Sequence, residues 1–376
     1  MLALGLLCWP LGMMAGSSMP DRGYILGKVF GLWLIAWIHW VLSSRWFEST
    51  AALSVGVALA AGLIAWASVW NSGAPRRMVE KVRFVLWMEA LILACMVAGV
   101  YVRAMNPAIT WAPEGWGAEK CADFAWFNAA RRAVHMPPSH PWLAGLAPNY
   151  TNYYYFGHLV WALLSKVAGT SPGVDFNIAL AALLALSVSA AFVLGWSLTG
   201  RRQWGAATVV FLILGGNLQP ALFLGAGWAS GADALAQAWR DWLYSGWWDA
   251  SRPIPGAINE FPAFSFLLGD LHAHLSGLPV TLAALMVLLH LERVWRGAGG
   301  SHWDRVGASG GALWTWGAFC GLAFVTNSWD AISLLVAALV VAAGGSRVFA
   351  WAPSRDFGAR LGWLALGFAG ALLVAG

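Results

Sequence analysis

Long apolar runs separated by short polar breaks dominate the chain and set the first expectation. A helix that crosses a bilayer needs about 20 largely apolar residues. Such runs recur at 1–16, 24–43, 52–70, 83–104, 153–169, 177–199, 203–228, 275–293, 309–326, 331–349 and 361–376. No alternating strand pattern and no internal repeat stands out. The expected fold is all-α, a polytopic transmembrane helical bundle of about 11 or 12 spanning or broken helices. It reads as a single membrane domain, 1–376, and because it stops inside the apolar run Leu361–Gly376 it is expected to be a C-terminally truncated fragment. Met1–Ala15 has no Lys or Arg before it, so it reads as a helix rather than a signal peptide.

Basic residues in the short breaks give an orientation. Arg76, Arg77 and Lys81 lie in 71–82, Arg296 and Arg305 in 294–308, and Arg347, Arg355 and Arg360 in 346–360. The positive-inside rule makes these loops cytoplasmic. The two long, less apolar segments, 105–152 and 229–274, are then the first and second outer loops, with helical stretches of their own. A site built from them faces outside, at the cell membrane. The crossing count has one conflict. Taking 153–169, 177–199 and 203–228 as three crossings puts 229–274 on the wrong side. The Gly215–Pro220 interruption, which breaks a helix, favours two short helices within 203–228. A re-entrant 153–169 is the alternative, and it also places Arg201 and Arg202 inside.

Composition agrees with a lipid-facing exterior. Of 376 residues 60% are hydrophobic and only 10% charged, against roughly 25% charged in soluble domains. The 27 Trp suit amphipathic belts at the membrane interfaces. The net charge of +5 is scattered, with no basic stripe, so nucleic acid is not an expected partner. Cys8, Cys95, Cys121 and Cys320 match no zinc or redox spacing and read as lone buried thiols. No P-loop, dinucleotide fingerprint, G-x-S-x-G or H-E-x-x-H occurs.

Four clusters carry the candidate chemistry. In Glu119-Lys120-Cys121-Ala122-Asp123 the two carboxylates share a helical face. They could bind a divalent cation (Mg2+ or Mn2+) or supply a base. A solvated helical turn explains the same spacing. Asn149–His158 packs five aromatics, Tyr153, Tyr154 and Tyr155 among them, with His158 at the start of an apolar run. They could anchor the chain at the interface or stack on a sugar ring or lipid headgroup. Glu260 precedes Asp270-Leu271-His272-Ala273-His274, the densest polar cluster. In a helix Asp270 and His274 face one way; in extended backbone His272 and His274 share a side. Two His do not make a closed metal site, and a helix-cap network is the plain alternative. Trp247, Trp248 and Arg252 nearby could form an interfacial shelf or a phosphate contact. Thr326–Asp330 joins two apolar runs, where Asn327 or Ser328 could cap a helix. Glu89, inside an apolar run, is expected to snorkel or to pair with a helix neighbour.

The runs NYYYFGH (152–158), EKCADFAWFNA (119–129), PPSHPWLAG (137–145), INEFPAFSFLLGDLHAH (258–274) and TNSWD (326–330) together resemble the uncharacterised "YYY" membrane-domain family (Chlor_Arch_YYY). That family tends to read EKPMDF where this chain has EKCADF, so the acidic pair is kept and the Pro lost. Its layout looks like the GT-C type of membrane glycosyltransferase, which transfers sugar from a polyprenyl-phosphate donor. The resemblance implies Asp123, or Glu119 one turn away, as base or metal carboxylate. It implies Tyr153–Tyr155 and His158 as walls of the sugar or lipid site. Lys120, Arg252, His272 and His274 would lie on the phosphate side, with Glu260 and Asp270 orienting the histidines. A transporter, or a noncatalytic lipid-binding protein of envelope assembly, is the competing expectation.

Overall fold

The computed structural model describes residues 1–110, 119–143, 153–216, 219–241, 249–297, 302–342 and 362. Among these every regular element is helical. The elements are α1 (Leu2–Gly16), α2 (Tyr24–Arg45), α3 (Ala51–Val69), α4 (Ala74–Val79), α5 (Val82–Met105), α6 (Lys120–Arg132), α7 (Phe156–Ala168), α8 (Pro172–Thr199), α9 (Arg202–Val209, continued by a π turn at Val210–Leu214), α10 (Gln219–Ala229), α11 (Ala232–Asp241), α12 (Pro262–Leu268), α13 (Ala273–Gly297), α14 (His302–Thr326) and α15 (Ser328–Ala342). Trp247, Trp248, Asn149–Asn152, Arg347, Arg355, Arg360 and most of the run 361–376 lie outside the described residues.

Among the described residues five helical stretches are long and apolar enough to cross a bilayer: Tyr24–Arg45, Ala51–Ser72, Val82–Met105, Pro172–Thr199 and Ala273–Arg296. Their surroundings differ. The most apolar window of α8 is 89% buried, whereas that of α5 is 22% buried, so α8 runs through the middle of the bundle and α5 along its edge. The edge helices expose Leu59, Leu63, Ile64, Leu93, Val97 and Val100, a surface suited to hydrocarbon and not to water.

Between α1 and α2 the backbones nearly touch. Gly23, which caps the start of α2, and Gly27 and Gly31 within it recur every fourth residue and face α1. A Cβ on Gly12 of α1 would fall 1.9 Å from Gly23 O, and one on Gly27 would fall 2.5 Å from Cys8 O. Small residues at this spacing let membrane helices pack by close van der Waals contact. Across the same bundle Glu89 of α5 accepts from Lys28 Nζ and, at 2.8 Å, from Tyr24 Oη. The partner of Glu89 is therefore on a neighbouring helix, as one of the two expectations had it.

The crossing conflict is decided by α7. This helix has 13 residues, about 20 Å, which is short of a hydrocarbon core of about 30 Å. Both of its ends bond to the same end of the bundle. Tyr155 Oη, just before α7, accepts from Trp40 Nε1 at 2.6 Å. Near its other end, Lys166 Nζ donates to Ser49 O and, at 2.9 Å, to Ala133 O. The start of α8 lies there too, since Asn177 Oδ1 accepts from Arg103 Nε at 2.9 Å. The stretch 153–169 is thus not a crossing. It lies within one end of the bundle, held there by Lys166 and Arg131 hydrogen bonds. The break in 203–228 is also present: α9 and its π turn stop at Leu214, and α10 starts at Gln219. Both departures from a simple crossing that the sequence allowed, a short 153–169 and a broken 203–228, are therefore present. Ser197 O and Ser18 O at the opposite end of the bundle accept from Arg293.

The cysteine expectation holds for two of four. Cys8 and Cys320 are buried, while Cys95 and Cys121 are half-buried; none of the four forms a disulfide among the described residues.

Candidate functional site

Four helix ends and one loop converge at the end of the bundle that α7 occupies. The start of α6 brings Glu119, Lys120 and Asp123. The start of α7 brings Tyr153–Tyr155 and His158. The turn between α12 and α13 brings Asp270, His272 and His274. Glu260 lies just before α12, and Arg103 comes from the last turn of α5.

Local chain geometry explains the α12–α13 turn. Gly269 ends α12 in the left-handed conformation, φ +82°, and its N–H and that of Asp270 both bond to Ser265 O, at 2.9 and 3.0 Å. Glycine is required there twice over, by the positive φ and because a Cβ would fall 2.3 Å from the Arg103 guanidinium carbon. Residues 270–272 are non-helical, so His272 and His274 share a side. Their Nδ1 atoms lie 2.9 Å apart.

The cluster has a dry tier and a wet tier. In the dry tier Asp123 is 1% exposed and His158 and Asp270 are buried. His158 Nε2–H donates to Asp123 Oδ1 at 2.9 Å, which fixes the tautomer and leaves His158 Nδ1 buried without a partner. Asp123 Oδ2 and Asp270 Oδ1 are buried and meet no donor from another residue. The two carboxyl groups are within hydrogen-bond reach of each other, a contact that is favourable only when one carries a proton. Burial pushes the Asp123 carboxyl up to about 6, although the hydrogen bond with Asp270 and the charge of His272 pull it down. Burial, together with the adjacent Asp123 carboxylate, raises Asp270 well above the usual range. Both carboxyls are shifted upward, so the pair favours holding a proton between them.

In the wet tier the chain Glu119–His272–His274–Glu260 runs across the top. His272 Nε2 is 3.1 Å from Glu119 Oε2 and 3.1 Å from Tyr153 Oη. His274 Nε2 is 3.2 Å from Ser265 Oγ and 3.5 Å from Glu260 Oε2. Burial works against a charge on His272, but the Glu119 hydrogen bond and the Asp123 and Asp270 carboxyls more than offset it, so its pKa is raised. The cation donates from both ring nitrogens, to Glu119 and to His274 Nδ1. Glu119 is lowered by that bond, and its side chain is 62% exposed. Glu260 is raised, by burial and by Asp270.

Aromatic rings wall the cluster. Trp126 stacks on Tyr153 at 5.2 Å and 8°, and Tyr153 on Tyr154 at 4.6 Å and 27°. Tyr155 also stacks on Trp126, at 6.0 Å and 16°, while its Oη accepts from Trp40. Arg252 lies over the Phe264 ring at 5.8 Å and bonds to Ser251. Its charge is felt by Glu260, while the Asp123 pair is influenced by other groups. Lys120 is 2% exposed, and burial and the nearby Arg103 charge lower its pKa to about 8. Among the described residues no three His, Cys, Asp or Glu converge as a metal site. Asn327 Nδ2 donates to Asp330 Oδ1 at 3.0 Å, so its side-chain amide bonds to a carboxylate.

The chain matches the family model described as uncharacterized membrane protein (DUF2298) over residues 34–376. The chain belongs to the DUF2298 family of membrane proteins. With its apolar helices, this DUF2298 protein is an integral, multi-pass membrane protein. No curated protein and no solved structure matches it.

Two site residues escape the sequence reading. Arg103 looks like an ordinary basic residue at a helix C-terminus. Trp126 looks like one more interfacial Trp. Only the approach of α5 and α6 to the histidine turn gives them their places.

Proposed function

We propose that this DUF2298 protein is a membrane glycosyltransferase of GT-C-like layout, related to the YYY family, that moves a sugar from a polyprenyl-phosphate-linked donor to an acceptor hydroxyl. What supports this reading is the buried Asp123–Asp270 carboxyl pair, within hydrogen-bond reach of each other beside His272, with the pKa of each of the three groups raised. Transfer needs a base for the acceptor hydroxyl and cations for the departing phosphate. A carboxylate with its pKa raised to about 6 is a stronger base than an exposed one, and this is the direction catalysis requires.

In this reading Asp123 takes the acceptor proton as the acceptor oxygen bonds to the sugar's anomeric carbon. The bond from that carbon to the phosphate oxygen breaks, and the phosphate leaves with its charge beside His272 and Lys120. Glu119, lowered by its bond to His272, holds the imidazolium in place. The stacked Trp126, Tyr153 and Tyr154 rings offer the flat apolar face that a pyranose packs against. Asp123 is reached only when substrate displaces the side chains above it, Tyr153 and His272 among them. A divalent cation, if one takes part, would have Glu119 and Asp123 as its carboxylates. The first outer loop and the second would meet at this site on the outer side of the cell membrane. The short turns at the opposite end, rich in Arg76, Arg77, Lys81, Arg201 and Arg202, support that orientation.

The test is sugar transfer from a radiolabelled panel of polyprenyl-phosphate sugars, with the full chain in membranes. Wild type should transfer and Asp123→Asn should lose roughly 10²-fold or more. Equal transfer by both would refute the role of Asp123. No transfer from any donor would remove the glycosyltransferase reading in favour of a transporter or lipid-binding role.

A further inference from the structure

An apolar cleft of about 200 Å³ opens between α5, α8, the π turn after α9 and α12. Val102, Leu180, Leu184, Ile213 and Phe266 are among its walls, and of the described residues that line it Arg103 alone is charged. The flanking helix faces carry exposed Val97, Tyr101, Phe211 and Leu214, so the cleft opens on the surface presented to hydrocarbon. A cavity with such walls stays dry and suits an alkyl or isoprenoid chain.

The cation beside it has no carboxylate partner among the described residues. Arg103 is 3% exposed and bonds only to neutral groups: Asn177 Oδ1 at 2.9 Å, Leu267 O at 3.2 Å and Asn106 O at 2.6 Å. Lys120, 2% exposed, lies near enough for the two charges to repel. Its ammonium makes no hydrogen bond or ion pair with any described residue. Two buried cations that make no ion pair among the described residues are costly and favour an anion beside them.

We propose that the cleft holds the hydrocarbon chain of a single-chain lipid phosphate whose head is bound by Arg103 and Lys120. The cleft and the cations stand independently of the transfer chemistry. The choice of an isoprenoid chain rests on the glycosyltransferase reading. The head then lies between the tail cleft and the histidine turn, because Arg103 touches both Leu267 of the cleft wall and Gly269.

The test is a native mass spectrometry titration of the full-length chain with three probes: a polyprenyl phosphate, the matching polyprenol and a diacyl phosphatidic acid. The polyprenyl phosphate should bind one to one, at least tenfold tighter than either other probe. Ala263→Trp, filling the cleft from α12, and Leu184→Trp, filling it from α8, should each weaken it at least tenfold. Lys120→Gln should bring the phosphate and the alcohol to similar affinities. Val55→Trp, on the exposed face of α3, should change nothing. Equal binding of phosphatidic acid would overturn the single-chain assignment, and unchanged binding in whichever cleft variant folds would overturn the site. Asp123→Asn should bind the lipid as wild type does, so loss of transfer with retained binding separates the two proposals.

Discussion

Replacing Asp123 with Asn should stabilise the fold at neutral pH while abolishing its chemistry. The Asp123 carboxyl is raised from 3.8 to about 6, chiefly by burial. Each unit corresponds to about 1.4 kcal/mol, so ionising Asp123 in the folded state costs about 3 kcal/mol relative to the unfolded chain. The sign follows from proton counting. Between about pH 4 and pH 6 the folded state holds a proton that the unfolded state has released, so stability falls as pH rises through that window and is flat above it. Asn keeps the geometry: its oxygen can accept from His158 Nε2 and its amide can donate to Asp270. The assay is thermal unfolding of the full chain in detergent, followed by tryptophan fluorescence from pH 4 to pH 7.5. Wild type should lose stability across pH 4 to 6.5, and Asp123→Asn should lose less and be the more stable protein at pH 7.5. Parallel curves for the two proteins, or a less stable variant at pH 7.5, would refute the assignment of a raised pKa to this group.

Breaking the Lys28–Glu89 pair should be more harmful than removing it. Lys28→Met or Glu89→Gln alone should cost about 3–5 kcal/mol, while the double variant should recover most of the loss, because the single variants strand a buried charge; denaturant titration of all four proteins gives the coupling. Gly12→Ala should destabilise by about 1–3 kcal/mol or more, since its Cβ would meet backbone atoms of α2; a variant as heat-stable as wild type would show that α1 and α2 are not so closely seated. Single cysteines at Glu48 and Thr170, in a chain otherwise free of cysteine, should react with an impermeant maleimide from the same side of the membrane, and one at Arg201 from the other. Labelling of positions 48 and 170 from opposite sides would make α7 a crossing after all.

The bundle was legible because hydrophobic burial writes itself as long apolar runs, and α2, α3, α5, α8 and α13 stand close to where those runs lie. The run at 153–169 misled because periodicity reports that a helix is buried, not what buries it. Protein surrounds α7, and Lys166 and Arg131 are bonded at its lower-hydropathy end. The site was legible as separate clusters, since ionisable residues beside apolar runs are costly and tend to have a role. Glu119, Asp123, Tyr153, Tyr154, His158, Glu260, Asp270, His272 and His274 are brought together. What spacing could not supply was the division into a dry and a wet tier. Glu119 and Asp123 are four residues apart on one helical face, yet one is mostly exposed and the other sealed. That difference is made by His158 of α7 and Asp270 of the α12–α13 turn, which meet only the second. Arg103 was missed for the same reason: its bonds to Asn177, Leu267 and Asn106 are a property of three-dimensional neighbours.

The short, non-crossing α7 also acts as a stopper. Its residues Leu159, Val160, Trp161 and Leu163, which follow His158 along the helix, are buried at 4% exposure or less. Groups that bind and release protons at one surface of a membrane risk opening a leak to the other. Apolar packing next to them lets the chain carry ionisable chemistry at one face while remaining electrically tight. Proteoliposomes holding a pH gradient should therefore keep it with this protein inserted, and should lose it faster when Leu159 and Leu163 are both cut back to Gly.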